Sequence, residues 1–189
     1  MAAQFRSTGP ASRRNPRIRM SSDPHLYAIA LGSNRRSREG APRDALAAAV
    51  VAIGGAVAVS PVIDSAPLGP GGRRFANAMM MIESIESPDQ LLARLKAIER
   101  AFGRRRGRRW GARTIDLDIV LWSGGIWRSR TLTVPHMAFR SRAFVLGPLV
   151  ALVPGWRDPV SGLTVRQLHR RLTRLATLPS RGRSAGWGP

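Results

Sequence analysis

The sequence predicts an α+β fold, a ferredoxin-like sandwich in which helices cover a largely antiparallel sheet. Apolar runs of strand length are interleaved with amphipathic runs of helix length. Several of the strand runs are joined by short turns, which favours antiparallel neighbours over long crossovers. At 189 residues and 43% hydrophobic content, the chain suits one domain with tails and can bury a substantial core. No internal repeat is visible.

Residues 1–24 mix Arg, Ser, Pro and Asn with little periodicity, so a disordered basic tail is expected ahead of a domain spanning 25–178. Leu26 to Leu31 reads as a buried strand that ends at the turn signal Gly32-Ser33-Asn34. Pro42 suits a first helical turn, and Ala45, Leu46, Ala49, Val50 and Ile53 recur at helical spacing until Gly54-Gly55. Val57 to Ile63 is a second strand, bent or kept at an edge by Pro61, and Ala66 to Gly72 is a loop. Phe75 to Glu83 is a third strand with Phe75, Asn77, Met79 and Met81 on one face. Asn77 is polar at an inward-looking position and needs a partner, either backbone or the donor–acceptor edge of a ligand.

Ser87-Pro88-Asp89-Gln90 carries a serine N-cap, a proline at the first helical position and a capping-box glutamine. Leu91, Leu95, Ile98 and Phe102 form the stripe of that helix, and Gly103 ends it. Arg104 to Arg109 is too charged to pack and reads as a mobile loop. A strand from Ile115 follows, then a turn at Gly124-Gly125 and a short strand from Thr131 to Val134 broken by Pro135-His136. Arg142 to Leu152 reads as a short helix or turn region interrupted by Pro148. Leu163 to Leu175 is a final amphipathic helix, with Val165, Leu168, Leu172 and Leu175 inward and Arg166, Arg170, Arg171 and Arg174 outward. A flexible tail is expected over 179–189.

Composition narrows the function. The chain has no cysteine, which excludes a disulfide framework and thiolate metal sites. No apolar run approaches the roughly 20 residues of a membrane span, and the N-terminus shows no apolar signal region, so the cytoplasm is the expected compartment. The net charge of +20 raises a nucleic-acid partner. Lys96 is the only lysine, however, and a bias towards Arg, Ala and Gly accounts for most of that charge. It falls before Asp23, between Arg104 and Arg113, and at the C-terminus; the middle cluster is the informative one.

That cluster runs into Ile115-Asp116-Leu117-Asp118-Ile119-Val120-Leu121-Trp122. Strict alternation places Ile115, Leu117, Ile119 and Leu121 on one face and Asp116, Asp118, Val120 and Trp122 on the other. Two carboxylates side by side repel each other. A solvated strand face accounts for them, and so does a bound divalent cation, which prefers carboxylate oxygens. The upstream arginines favour the cation, because cations beside metal-binding carboxylates suit a polyphosphate carrying magnesium. There is no G-x-x-x-x-G-K-[ST], no dinucleotide glycine fingerprint and no G-x-S-x-G elbow, so phosphate must be held by arginine side chains and metal.

Three segments together carry a resemblance. Ala28-Ile29-Ala30-Leu31-Gly32-Ser33-Asn34, then Arg109-Trp110-Gly111-Ala112-Arg113-Thr114-Ile115-Asp116-Leu117-Asp118-Ile119, then Val134-Pro135-His136 with Arg142-x-Phe144-Val145-Leu146-x-Pro148-Leu149 resemble hydroxymethyldihydropterin pyrophosphokinase. The match runs from about Leu26 to Gln167, in the family's order. The resemblance implies transfer of diphosphate from ATP to the hydroxymethyl group of 6-hydroxymethyl-7,8-dihydropterin, with release of AMP, in folate biosynthesis. It implies that Asp116 and Asp118 hold two magnesium ions on the triphosphate.

The same resemblance assigns Arg113 to the phosphates and matches Arg104 and Arg106 to a loop that closes over ATP, one residue shorter here. Glu99, Trp110, Ile119, Thr133, His136 and Arg142 become ATP contacts. Asn77 reads the pterin edge, Phe75 and Phe144 stack on the ring, and Ser65 and Leu68 offer further contacts. Phe75 stands where many relatives have tyrosine, and Met137 where an aromatic is frequent. His25 and His169 have no motif support and are expected at the surface. A monomer with small-molecule substrates, no membrane and no specific nucleic acid is the implied setting. A basic nucleic-acid module would need aromatics interleaved with arginine on a strand face. Only 6% of residues are aromatic, which argues against that alternative. A relative that had lost catalysis would not be expected to keep Asp116, Asp118, Arg113, His136 and Asn77.

Overall fold

The computed structural model describes residues 23–67, 73–103 and 114–177. The expected tail 1–24, apart from its last two residues, and the expected tail 179–189 lie outside those residues, as do Leu68, Arg104, Arg105, Arg106, Trp110 and Arg113. The described elements are β1 His25–Ser33, α1 Pro42–Ile53, β2 Ala56–Val59, β3 Ile63–Ser65, β4 Phe75–Ser84, α2 Pro88–Ala101, β5 Asp116–Trp122, β6 Trp127–Arg128, β7 Thr133–Val134, α3 Ala143–Leu152 and α4 Val165–Thr177.

The main sheet is antiparallel, in the order β2-β4-β1-β5, with β3 also pairing β4. Taking β2 and β3 as one broken edge strand, this is the strand order of a ferredoxin-like β-α-β-β-α-β unit. Pro61 marks the break, since a residue without an N–H cannot continue a ladder. One face of the sheet packs Tyr27, Ile29, Leu31, Met80 and Ile82 against Leu46, Ala49 and Ile53 of α1 and Leu91 and Leu95 of α2. The other packs Ala28, Met79, Met81 and Leu121 against Val145, Leu146 and Leu149 of α3 and Val165 and Leu168 of α4. Helices therefore cover both faces.

Local chemistry explains most boundaries. Ser87 Oγ accepts from the Gln90 N–H at 3.3 Å, and Gln90 Oε1 accepts from the Ser87 N–H at 2.8 Å. That reciprocal pair is the expected capping box of α2. Arg94 ties α2 to its surroundings, donating to Glu86 and, at 2.6 Å, to the Ile53 carbonyl at the end of α1. Burial works against the Glu86 carboxylate, but the Arg94 and Ser84 bonds outweigh it and hold its pKa below the usual range.

Four sequence expectations are corrected. Gly32 and Ser33 continue β1 and do not turn it, because Gly32 pairs with both Asn77 and Asp116, and the Ser33 hydroxyl donates to the Thr114 carbonyl at 2.6 Å. The register between β1 and β5 shifts at Val120, one extra residue on β5, so Trp122 joins the α1/α2 face and Leu121 the α3/α4 face. The segment before His136 is a hairpin of β6 and β7, not one strand. It docks on α2 through Asp89, which accepts from Trp127 Nε1 at 3.1 Å and Ser129 Oγ at 2.7 Å. Helix α3 runs through Pro148, whose ring removes one helical bond without ending an element packed hard against the sheet.

Beyond β5, Gly124 is obligatory. A Cβ there would lie 2.3 Å from the Trp122 ring, which stacks with Tyr27 and meets His25 and Trp127 edge-on.

Candidate active site

The site forms where the α3-side face of the sheet changes from apolar to polar. Paired residues on antiparallel strands present side chains to the same face. Gly32 pairs with Asn77 on one side and Asp116 on the other, and Ala30 pairs with Met79 and Asp118. Asn77, Gly32 and Asp116 thus form one row across three strands, with Asp118 one step along. Strand spacing puts the Asn77 and Asp116 backbones about 10 Å apart. Between them Gly32 leaves an open floor: a Cβ there would touch Asn77 Oδ1 at 3.6 Å and Phe75 Cδ1 at 3.9 Å.

At the Asn77 end, Nδ2 donates to Ser65 Oγ at 2.9 Å and to the Phe75 carbonyl at 3.3 Å. Three of the expected ring-binding residues, Ser65, Phe75 and Asn77, are therefore in mutual contact. Phe144, near the start of α3, packs partly exposed on the same face of the sheet. The Arg142 guanidinium lies over its ring, 5.8 Å from the centroid, within reach of a cation–π attraction.

At the aspartate end, both carboxylates are half-buried. The bulge at Val120 brings in the next wall, since the Val120 carbonyl accepts from the His136 N–H at 3.0 Å. His136 Nδ1 accepts from the Ala138 N–H at 3.2 Å. That bond puts the ring proton on Nε2 and makes that atom a donor. Burial is the largest influence on this imidazole and lowers its pKa. The Asp118 and Asp116 charges oppose the shift and Arg142 adds to it, with a net effect below the usual histidine value. His136 is thus a neutral donor within the field of both aspartates and Arg142.

The segment bearing His136 and Arg142 is fixed from behind. Asp158, fully buried, accepts from Arg140 Nε at 2.7 Å and Nη2 at 2.5 Å, and also from Val160 and Ser161. Burial alone would raise its pKa, but the Arg140 and Ser161 bonds win and hold it at about 2. Sequence reading missed this pair, which carries no spacing signal.

Glu99, expected as a nucleotide contact, is buried beneath the edge of β5, where Oε1 accepts from the Leu117 N–H and from Lys96 Nζ, both at 2.8 Å. Ile119 directs its side chain into the α1/α2 core, and Thr133 is half-buried on β7. The structure brings Asp116, Asp118, His136 and Arg142 together along one stretch and Ser65, Phe75, Asn77 and Phe144 along the adjoining one.

Among the described residues no group of three or more His, Cys, Asp or Glu side chains forms a metal cage. Two adjacent carboxylates on an open face nevertheless fit Mg2+, which keeps most of its waters and binds through one or two carboxylates plus substrate phosphates. No described helix is long and apolar enough to cross a membrane.

Residues 28–154 match the family model described as 7,8-dihydro-6-hydroxymethylpterin-pyrophosphokinase. The chain is 42% identical over 137 residues to the 2-amino-4-hydroxy-6-hydroxymethyldihydropteridine pyrophosphokinase of Pseudomonas aeruginosa, covering 69% of this chain and 82% of that one. It is 38% identical over 115 residues to the Synechocystis protein of the same name, covering 61% of this chain and 59% of that one. The match thus spans less than two thirds of that relative's length. The fold superposes on the crystal structure of Plasmodium falciparum HPPK-DHPS wild type with a TM-score of 0.60 at 12% identity, covering 80% of this chain and 46% of that one.

Proposed function

Because the chain belongs to the 7,8-dihydro-6-hydroxymethylpterin-pyrophosphokinase family of folate-synthesis enzymes, we propose that it transfers the terminal diphosphate of ATP to the hydroxymethyl group of 6-hydroxymethyl-7,8-dihydropterin. The substrate hydroxyl oxygen bonds to the β-phosphorus, the bond from that phosphorus to the α,β-bridging oxygen breaks, and AMP departs while the hydroxyl proton is lost. The observation that carries this reading is the cross-strand row itself. A group that reads a flat heterocycle, Asn77, and a carboxylate suited to magnesium, Asp116, flank one glycine.

The roles follow from the chemistry. Asn77, already oriented by Ser65, presents its amide to the donor–acceptor edge of the pterin, and Phe144 and Phe75 supply flat apolar surfaces for the ring. Asp116 and Asp118 would hold two magnesium ions, whose charge would offset that of the triphosphate and favour in-line attack at the β-phosphorus. His136 donates from Nε2 and Arg142 from its guanidinium to phosphate oxygens. Arg113, Arg104 and Arg106 complete the phosphate-binding charge, with Trp110 and Thr133 on the nucleotide side and Leu68 on the pterin side, as the family resemblance implies; the side chain of Ile119 is turned away from the site and takes no part. Glu99 serves by holding β5. A monomer in the cytoplasm is the setting that accompanies this reading.

Incubation with ATP, Mg2+ and the hydroxymethyl pterin, followed by chromatography, should yield AMP in step with loss of the pterin alcohol. Formation of ADP, or AMP that appears equally without the pterin, would contradict the proposal.

A further inference from the structure

Of the 31 Lys and Arg residues only Lys96 is lysine, and its side chain reaches from α2 round the edge of β5. Nζ donates to Glu99 Oε1 at 2.8 Å and to the Leu117 carbonyl at 3.2 Å, and lies 3.9 Å from Asp118 Oδ1. Glu99 Oε1 in turn accepts from the Leu117 N–H at 2.8 Å. Leu117 sits between the two aspartates, and β5 is the last strand of its sheet among the described residues. Both outward backbone groups of Leu117 are therefore engaged by side chains from α2 in place of a neighbouring strand. An edge strand left with open groups would frame its carboxylates loosely.

The residue type matters. An ammonium carries three N–H bonds splayed about one point charge, which suits acceptors in three directions; the planar fork of arginine does not. In a chain whose other basic residues of this class are all arginine, lysine stands where that difference counts. We propose that Lys96 is a positioning residue for the aspartate pair. It places an ammonium group beside Asp118, in competition with the metal that Asp118 binds, while Glu99 keeps the Leu117 N–H engaged whether or not the lysine is present.

The inference rests on the aspartate–metal reading above, and its test separates the two. Mn2+ is titrated into the full chain saturated with the uncleavable α,β-methylene analogue of ATP, and free Mn2+ is followed by electron paramagnetic resonance. Removing a cation 3.9 Å from a half-exposed carboxylate, in Lys96→Gln or Lys96→Met, should tighten Mn2+ binding on the order of threefold to tenfold. Lys96→Arg, which keeps the charge but not the three-way donor geometry, should show no tightening. A merely structural role would weaken the site or leave it alone, never tighten it. Loss of Mn2+ binding in Asp118→Asn alongside unchanged or weaker binding in Lys96→Gln would overturn the lysine inference alone. Equal binding by the parent protein and Asp118→Asn would remove the aspartate–metal reading and this inference with it.

Discussion

Asp158 and Asp118 are both aspartates beside the apolar packing on the α3/α4 side of the sheet, yet their surroundings differ in kind. Asp158 is 0% exposed and accepts from Arg140, Val160 and Ser161, so every direction around its oxygens is taken by protein. Asp118 keeps 37% of its side chain exposed, with Lys96 at 3.9 Å, outside hydrogen-bond range. A carboxylate saturated by its own chain holds structure together. One that is framed but not saturated keeps room for an outside partner. The first fixes the segment that delivers His136 and Arg142, and the second stands where that segment meets the sheet.

The sharpest way to break this contrast is to neutralise each carboxylate in turn. Asp118→Asn should lower turnover by roughly 10³-fold or more, the scale on which metal-held transition-state charge acts, while urea denaturation shows parental stability. Turnover within a fewfold of the parent would show that Asp118 is ordinary strand polarity. Asp158→Asn should do the reverse. Breaking a buried ion pair leaves Arg140 unpaired and should cost about 3 kcal/mol of stability, while the fraction that stays folded should lose no more than about tenfold in turnover, through looser placement of His136 and Arg142. A folded variant as inactive as Asp118→Asn would contradict the division of the two carboxylates into a structural and a metal-holding one.

The acid limb of stability sharpens the same point. The pKa of Asp158 falls from an ordinary 3.8 to about 2 on folding, so the unfolded chain binds its proton first. The stabilisation is complete above the unfolded value and is lost as pH drops through the interval between those two pKa values. Its size is about 2 kcal/mol, from the conversion of a pKa difference into free energy. The stability gap between the parent protein and Asp158→Asn should narrow over that interval. A constant gap would mean that Arg140 does not act through the charge of Asp158.

The smallest effect is expected at the other end of the row. Asn77→Ala removes one edge-reading amide and should raise KM for the pterin about tenfold, with little change in KM for ATP. Equal changes for both substrates would indicate that the β3–β4 corner had loosened generally.

Much of this frame was legible in the sequence. The proline and serine signals located α1 and α2, and the alternation from Phe75 to Met81 put Asn77 on a buried face. The aspartate pair stood out as charge in an apolar strand. What stayed hidden depends on contacts between distant segments. The extra residue at Val120, whose carbonyl takes the His136 N–H, is defined only by its register against β1. Gly32 and Ser33 looked like a turn because the chemistry of Gly-Ser-Asn is local, whereas their pairing with Asn77, Ala76 and Asp116 is not. At α4, the Thr164 N–H donates to Gln167 Oε1 at 2.9 Å and the Gln167 N–H donates to Thr164 Oγ1 at 3.2 Å. This T-x-x-Q capping signal was available and points to a start at Val165, not Leu163. Lys96 matched no motif; its singularity among arginines was the one clue.

Attack at the β-phosphorus is open to direct observation by 31P nuclear magnetic resonance of the reaction with ATP, Mg2+ and the hydroxymethyl pterin. The predicted result is an AMP singlet growing in step with the two coupled resonances of a pterin diphosphate ester. Growth of ADP resonances with a pterin monophosphate would place the attack at the γ-phosphorus and contradict it.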